Sequence, residues 1–536
     1  MKADPTTDPV AYDVDETFSG DCVAMNQGQS GSQILPSVSL SGHNRCEPVD
    51  WLFTKIAPDS LGLFRVLFGL VLLFQAQYLL PVPTWQYRPT YTALEFLQDR
   101  PENFLLCISL LSISACCVMI GWLTKAAAGL YGLAFTYCFL LDVSYYNNHY
   151  YLIALLCGFF TFVESEAWFS VRNLRESNRS ATIPRWNVAV FQLQFMIVYF
   201  YGGLVKLNSD WLSGYPAIDW IGSSPLVSGL GLPPAQAGLF VAYFGTVFDL
   251  SLPFLLLFRR TRLVAFALCF AFHLTNTQLF EIGVFPWLGI AALVLFLPPG
   301  KIQSLGSRKQ KDFDKERVSD EGVSPKKRST QRLILGLLSA YFVFQALFPF
   351  RHYLYAGHVE WNECGKNFSW RMMLSDKRMF VGMRLIDSDT GQVWEVDQGG
   401  MADPNRRGQV GFASLAGQIV FVPSKLLNGD QMRGIGVWGN PVLLQRYAAQ
   451  VARDARAIGI DHPQIAVDAV CSLNGRPLQY LVTPDVDLAS FEKQAFGTPS
   501  YVVPLRERGP AERVFLNDNR SLQEATMEFL SGSKPR

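Results

Sequence analysis

Between residues 61 and 350 the chain is a succession of apolar runs long enough to cross a bilayer, separated by shorter polar stretches. A hydrocarbon core about 30 Å thick takes roughly twenty apolar residues per helix. Backbone in lipid must also satisfy its own hydrogen bonds, and only helices or closed barrels do that. Runs of this length predict helices. About nine spans are expected, near residues 61–80, 103–122, 125–143, 148–164, 186–205, 237–257, 262–280, 282–298 and 332–350. Composition agrees: 49% hydrophobic and 13% aromatic residues with only 17% charged ones is poor in charge for a soluble chain of 536 residues. A net charge of +1 gives no reason to expect nucleic acid as a partner.

Lysine and arginine set the expected orientation. With the N-terminus inside, the inner loops hold Lys125, the arginines at 172, 175, 179 and 185, those at 259, 260 and 262, and the basic stretch 301–332. The outer side holds only Arg88, Arg100 and Lys206. The N-terminus is therefore expected to be cytoplasmic and the region after 350 extracytoplasmic or lumenal. Residues 1–50, polar and rich in Asp, Ser and Gly, read as a disordered tail. Residues 300–331 read as a cytosolic linker within the membrane domain of 51–350. Beyond it, 351–536 is a different material and is expected to fold as an extracytoplasmic α+β domain. Strands are predicted at 392–396 and 417–422, an amphipathic helix at 443–458, and a hairpin at 464–482 across the Asn474-Gly475 turn. Of ten cysteines, Cys364 and Cys471 are the two in this domain, a candidate disulfide if the compartment oxidises thiols.

Polar residues gather at the outer ends of several spans. Lys206 closes the fifth. Asn148 and His149 open the fourth, His273 and Asn276 share a helix face in the seventh with Gln278 beyond them, and His352 comes after the ninth. Singly, each has an ordinary explanation, a lysine at a helix end being most often an interfacial anchor. Together at one depth they point to a reaction pocket, because polar groups in a membrane usually line a cavity or pathway. No HExxH, His-x-His pair or acidic cluster accompanies the histidines, so no metal is expected. A lysine base, histidine and asparagine hydrogen bonders and aromatic walls suit a lipophilic aromatic substrate arriving from the bilayer, such as a quinone.

The motifs Asn147-Asn-His-Tyr-Tyr-Leu152, Lys206-Leu-x-x-Asp-Trp211, Phe272-His-x-x-Asn-x-Gln-Leu-Phe-x-Ile-Gly-x-Phe285 and Ser369-Trp-Arg-Met-Met373 resemble, in order, those of the vitamin K-dependent gamma-glutamyl carboxylases of the HTTM group. The resemblance spans roughly residues 50–490. It implies that Lys206 is the amine that deprotonates vitamin K hydroquinone. Oxygen then turns the quinol into a base strong enough to take a glutamate γ-proton, and CO2 is captured. The implied products are γ-carboxyglutamate and vitamin K epoxide, and the implied partner is a glutamate-containing protein or peptide. His149 and His273 match catalytic positions near the quinol; Asn148, Asn276 and His352 match quinol-binding ones. The chain ends sooner after the hairpin than animal carboxylases do, which points to a microbial or divergent member, in a bacterial inner membrane or the ER membrane. Two other readings stay open: quinol epoxidation without protein carboxylation, and a quinol- or lipid-binding membrane protein.

Overall fold

The structure, a computed structural model, describes residues 48–79, 101–141, 146–176, 182–222, 224–280, 282–306, 325–397, 409–414, 419–423, 437–492, 497–506 and 519–532. Most of the expected tail and most of the expected linker lie outside them, as does the stretch holding Arg88 and Arg100. From Glu47 onward the chain forms one compact unit, mostly helical, with a β-sheet near its C-terminus.

Helices occupy all the expected span positions: α1 (Asp59–Leu79), α2 (Pro101–Ile120), α3 (Thr124–Leu141), α4 (Asn148–Phe160), α5 (Trp186–Leu204), α6 (Pro234–Leu257), α7 (Arg262–Leu279), α8 (Phe285–Ala292) and α9 (Pro325–Leu347). Among the described residues, 4 helices are long and apolar enough to cross a membrane: Asp59–Tyr78, Trp186–Leu204, Pro234–Leu257 and Arg328–Leu354. Leu106–Ile120, Asn148–Phe160 and Phe285–Phe296 are shorter apolar helices. This is the make-up of a membrane protein, but these lengths do not amount to nine full crossings. Pro286 lies in the first turn of α8, where a proline is tolerated, and the helix tightens into a 3-10 turn at Leu293–Phe296 before two further prolines.

The membrane-domain core is aromatic. Phe64 and Phe68 of α1 stack with Phe160 of α4, at ring centroid distances of 5.9 and 5.3 Å, and Phe191 of α5 closes on Phe160 at 4.8 Å. Two buried ions tie the helix ends together. Arg65 donates from one guanidinium nitrogen to the carbonyls of Val118 and Met119, the last turn of α2, at 2.8 Å each, which a cation suits because those carbonyls have no partner within the helix. Asp59 accepts from the backbone N–H groups of Gly300 and Ile302, both at 2.9 Å.

The C-terminal region holds an antiparallel six-stranded sheet: β1 (Lys377–Asp387), β2 (Val393–Asp397), β3 (Gln409–Ser414), β4 (Ile419–Pro423), β5 (Pro463–Leu473) and β6 (Gln479–Tyr480), in the order β4-β3-β2-β1-β5-β6. Helix α10 (Pro441–Arg456) packs on it through Leu444, Tyr447, Ala448 and Val451 against Ile465, Val467 and Ala469. Asn440 caps this helix, its side chain accepting from the Val442 and Leu443 N–H groups. A last helix, α11, spans Asn519–Gly532. The hairpin differs from expectation. Asn474 and Gly475 both take left-handed backbone (φ 51 and 72°), but pairing resumes only at Cys471↔Gln479 and Val470↔Tyr480. Arg476 points away from the sheet instead of extending it. Cys364 and Cys471 are separate free thiols, so the candidate disulfide is not formed. Cys471 is buried inside β5 and Cys364 Sγ lies 3.5 Å from the Asn362 carbonyl; burial pushes these thiols up to about 12 and about 11.

Candidate active site

Lys206 is positioned by the end of α5 and by the short segment just beyond it. The helix stops after Gly202-Gly203-Leu204, and the short helix Ser209–Leu212 begins at once, capped by Asn208, whose side chain accepts from the Trp211 N–H at 3.0 Å. Trp211 is pinned on α6, donating from its indole N–H to the Ala242 carbonyl (2.8 Å) and the Thr246 hydroxyl (3.0 Å). Its ring lies under the lysine, with Nζ 5.2 Å from the centroid. From α6, Asp249 Oδ2 accepts directly from Lys206 Nζ. Both residues are buried, at 9% and 5% exposure, so this is an ion pair largely out of water rather than a surface anchor. Asp249 was missed by the sequence reading, although a lone carboxylate in an apolar run is itself a signal.

Close helix crossing brings the pair together. A Cβ on Gly203 would sit 2.8 Å from the Leu250 backbone nitrogen, and one on Gly202 would approach Asp249 Oδ2 at 3.3 Å. Two glycines let α5 and α6 touch backbone to backbone.

His273 on α7 is fully buried. Its Nε2 shares a 2.6 Å hydrogen bond with the Tyr199 hydroxyl, and its Nδ1 has no partner among the described residues. Gly289 of α8 faces the ring so closely that a Cβ there would fall 2.2 Å from Nε2. His149, at the start of α4, stands edge-on to Tyr150, with Phe285 beyond at 6.4 Å.

The two histidines and the lysine–aspartate pair line one cavity of about 1520 Å³, with walls from α4 to α7 and from the C-terminal region. Lys206, Asp249, His149, His273, Asn148 and Asn276 are all on its surface. His352 is not among the lining residues: it sits in the 3-10 turn Phe348–Leu354, its Nδ1 bonded to the Pro349 carbonyl at 2.8 Å, with Gly365 packed on its backbone. Asn148 lines the cavity, its amide donating to the Arg371 carbonyl at 3.0 Å and accepting from the Tyr146 hydroxyl. Gln278 is exposed and also outside the lining.

The mouth of the cavity on the side of the C-terminal region is charged. Glu360 is buried between Lys366 Nζ (2.9 Å) and Arg371 Nε (2.6 Å), and Glu363 bridges Lys366 (3.0 Å) and Lys377 (2.7 Å). Burial alone would raise the Glu360 carboxyl, but the two cations outweigh it and hold it well below the carboxylate range. Burial likewise opposes the charge on Lys366, yet its two carboxylates push it above the ordinary lysine value. Below this mouth, Asp210 accepts a forked pair of bonds from the Arg476 guanidinium at 2.6 and 2.7 Å, and a third from the Asn474 amide at 2.9 Å. The hairpin tip of the outer domain is thus bolted to the segment just after Lys206.

The family model described as HTTM domain matches residues 53–300. The one described as the lumenal domain of vitamin K-dependent gamma-carboxylase matches 330–414 and 417–508. The chain belongs to the vitamin K-dependent gamma-carboxylase family. No solved structure matches it. Members of this carboxylase family are membrane enzymes with a lumenal domain, and vitamin K-dependent carboxylation of glutamate-containing protein is the family's activity. In this chain the two matched regions share the cavity, the region matched by the HTTM model supplying Lys206, Asp249 and the histidines and the region matched by the lumenal-domain model supplying Arg371 and the charged mouth. Among the described residues no group of three His, Cys, Asp or Glu side chains is placed to hold a metal.

Proposed function

We propose that this chain carboxylates protein glutamate to γ-carboxyglutamate and couples that to the conversion of vitamin K hydroquinone to its epoxide. The observation that carries this is the buried Lys206 amine, held on Asp249 and Trp211 inside a cavity shared by both matched regions. The cavity suits the quinol: aromatic walls fit a flat ring, and the unpartnered His273 Nδ1 is a buried polar atom in want of a ligand oxygen. When bound, the reduced vitamin, with O2, supplies the strong base that a glutamate γ-carbon requires, since no side chain is basic enough.

The protein's part is to start that chemistry and to shield it. Lys206 Nζ takes the proton of a ring hydroxyl. In the resting ion pair that nitrogen already carries its full complement of protons, so one must first move away. Asp249 Oδ2 is the nearest acceptor, and a single proton transferred along that hydrogen bond leaves a neutral amine facing the cavity. Trp211 and Asp249 fix the direction of Nζ, which matters because small displacements of a catalytic group cost rate steeply. His273 and His149 orient the ligand oxygens, with Asn276 beside His273. The apolar wall keeps water from the reactive stage. The charged mouth on the lumenal side gives the glutamate chain its approach, while CO2 needs no dedicated residue. The concentration of lysine and arginine at 172–185, 259–262 and 301–332 supports a cytoplasmic N-terminus and a lumenal or extracytoplasmic C-terminal domain.

The test uses the full chain in nanodiscs with reduced vitamin K, O2, labelled bicarbonate and a glutamate peptide, with Lys206→Ala alongside. Epoxide and incorporated label together, both lost in the variant, are the expected result. Epoxide without label would reduce the reading to quinol epoxidation. Neither product from folded protein would leave a quinol- or lipid-binding protein.

A further inference from the structure

The cavity has a second boundary, on the membrane side. Helices α6 and α7 are joined at one end by residues 258–261 and meet where Phe248 stacks on Phe272, ring centroids 4.2 Å apart. On the far side of that stack the seam is open. Phe240 and Phe244 of α6 and Thr275 of α7 line the cavity and are also exposed, Phe240 at 66%. A side chain that faces both the interior and the outside marks an opening.

The opening carries an aromatic ladder. Phe240, Phe244 and Phe248 recur every four residues, so they share one helix face. Their rings stack at 5.5 Å and 11°, then 6.1 Å and 18°, and Phe272 continues the series at 4.2 Å and 26°. Exposure falls from 66% through 41% to 4% along the three α6 rings. Phe272 then stands edge-on to His273 at 5.4 Å. The series therefore starts on the lipid-facing surface and ends at the buried imidazole. These rings carry no charge, whereas the outer mouth presents Lys366 and Lys377 with their carboxylates. An apolar molecule and a peptide carboxylate would thus find different doors.

We propose that the seam between α6 and α7 is the lateral lane by which a lipid-dissolved quinol reaches the cavity, and that it keeps hold of the ligand's apolar tail once the ring lies beside Lys206 and His273. Rings slide in along parallel phenyl faces that offer stacking at every step. The tail then replaces lipid between Phe244 and Thr275, filling the opening and excluding water. The inference rests on the quinol reading above, but it concerns where the tail lies rather than which reaction the ring undergoes.

Two measurements that need no turnover test it on the full chain in nanodiscs. A vitamin K quinone bearing a photoreactive group at its tail end is cross-linked and the adducts are mapped by mass spectrometry. Adducts should concentrate within 240–248 and 268–275; adducts confined to other helices would overturn the lane. A phospholipid carrying the same group on its acyl chain serves as the second arm. If it labels the seam equally and the quinone does not displace it, the seam is only lipid-facing and the proposal fails. Binding is then read by quenching of tryptophan fluorescence. Thr275→Phe, which fills the opening, should weaken the tailed quinone about tenfold or more and leave 2-methyl-1,4-naphthoquinone, which has no tail, unchanged. Phe244→Ala should also change only the tailed ligand, and stands in if the first variant does not fold. Equal loss of both ligands, or loss of neither, would overturn the lane while leaving the quinol site intact. Failure of the unaltered protein to bind either quinone would overturn both.

Discussion

Asp249 holds the Lys206 amine and Gly289 leaves room for the His273 ring. Removing one partner of a buried ion pair typically costs about 3–5 kcal/mol because the other charge is stranded. Asp249→Asn should therefore lower thermal stability and cut turnover sharply. The double variant Lys206→Ala with Asp249→Asn should be more stable than Asp249→Asn alone and no less active than Lys206→Ala. Unfolding curves and epoxide assays on the four proteins check this; additive effects would mean the two side chains work independently. Gly289→Ala puts a methyl 2.2 Å from His273 Nε2, so the ring must leave Tyr199. It should cost more activity than Tyr199→Phe, which removes one hydrogen bond worth about 1 kcal/mol and leaves the ring in place. Quinone binding to both variants separates a displaced ring from a weakened one.

At the scale of elements, the close crossing of α5 and α6 decides whether Lys206 and Asp249 meet. Gly203→Val should push the helices apart against Leu250 and abolish turnover, even where far-UV circular dichroism reports the helices intact. Gly158→Ala in α4 is the control, since a Cβ there touches nothing within 4 Å. Helix positions were legible in the sequence because hydropathy reports burial in lipid or protein alike. For the same reason it could not tell a full crossing from a short helix such as α8. Lys206, His149, His273 and Asn276 were legible as cavity residues because helical spacing and depth along a span place them together. Asp249 was not legible because it lies inside α6, well away from the span ends where the other polar residues gather. His352 follows the ninth helix as expected, but the 3-10 turn Phe348–Leu354 places it outside the lining residues, which its position after a span does not foresee. Asn148 lay where expected, but its bond to the Arg371 carbonyl depends on a segment more than two hundred residues away, which no local pattern reveals.

At the scale of the whole molecule, charge holds the outer domain to the membrane domain and to itself. Glu360 titrates below its ordinary value near 4.5, so its contribution to stability is complete above about pH 5 and is lost as pH falls through the lowered folded-state value. Lys366, shifted upward, contributes fully below its ordinary value of 10.5 and loses that contribution only as pH rises beyond it. Tm measured from pH 3 to 7 should fall on the acid side, and Glu360→Gln should lower the neutral plateau and flatten that fall; an unchanged slope would remove Glu360 as the cause. The Asp210–Arg476 fork has a different consequence. It is the point at which two regions, matched by two separate family descriptions, stop being separable parts. A chimera that grafts a foreign outer domain onto these helices inherits Asp210 whether or not it brings an arginine and an asparagine to meet it. The portable unit for anyone recombining such proteins is the contact pair itself, carried across the graft boundary together.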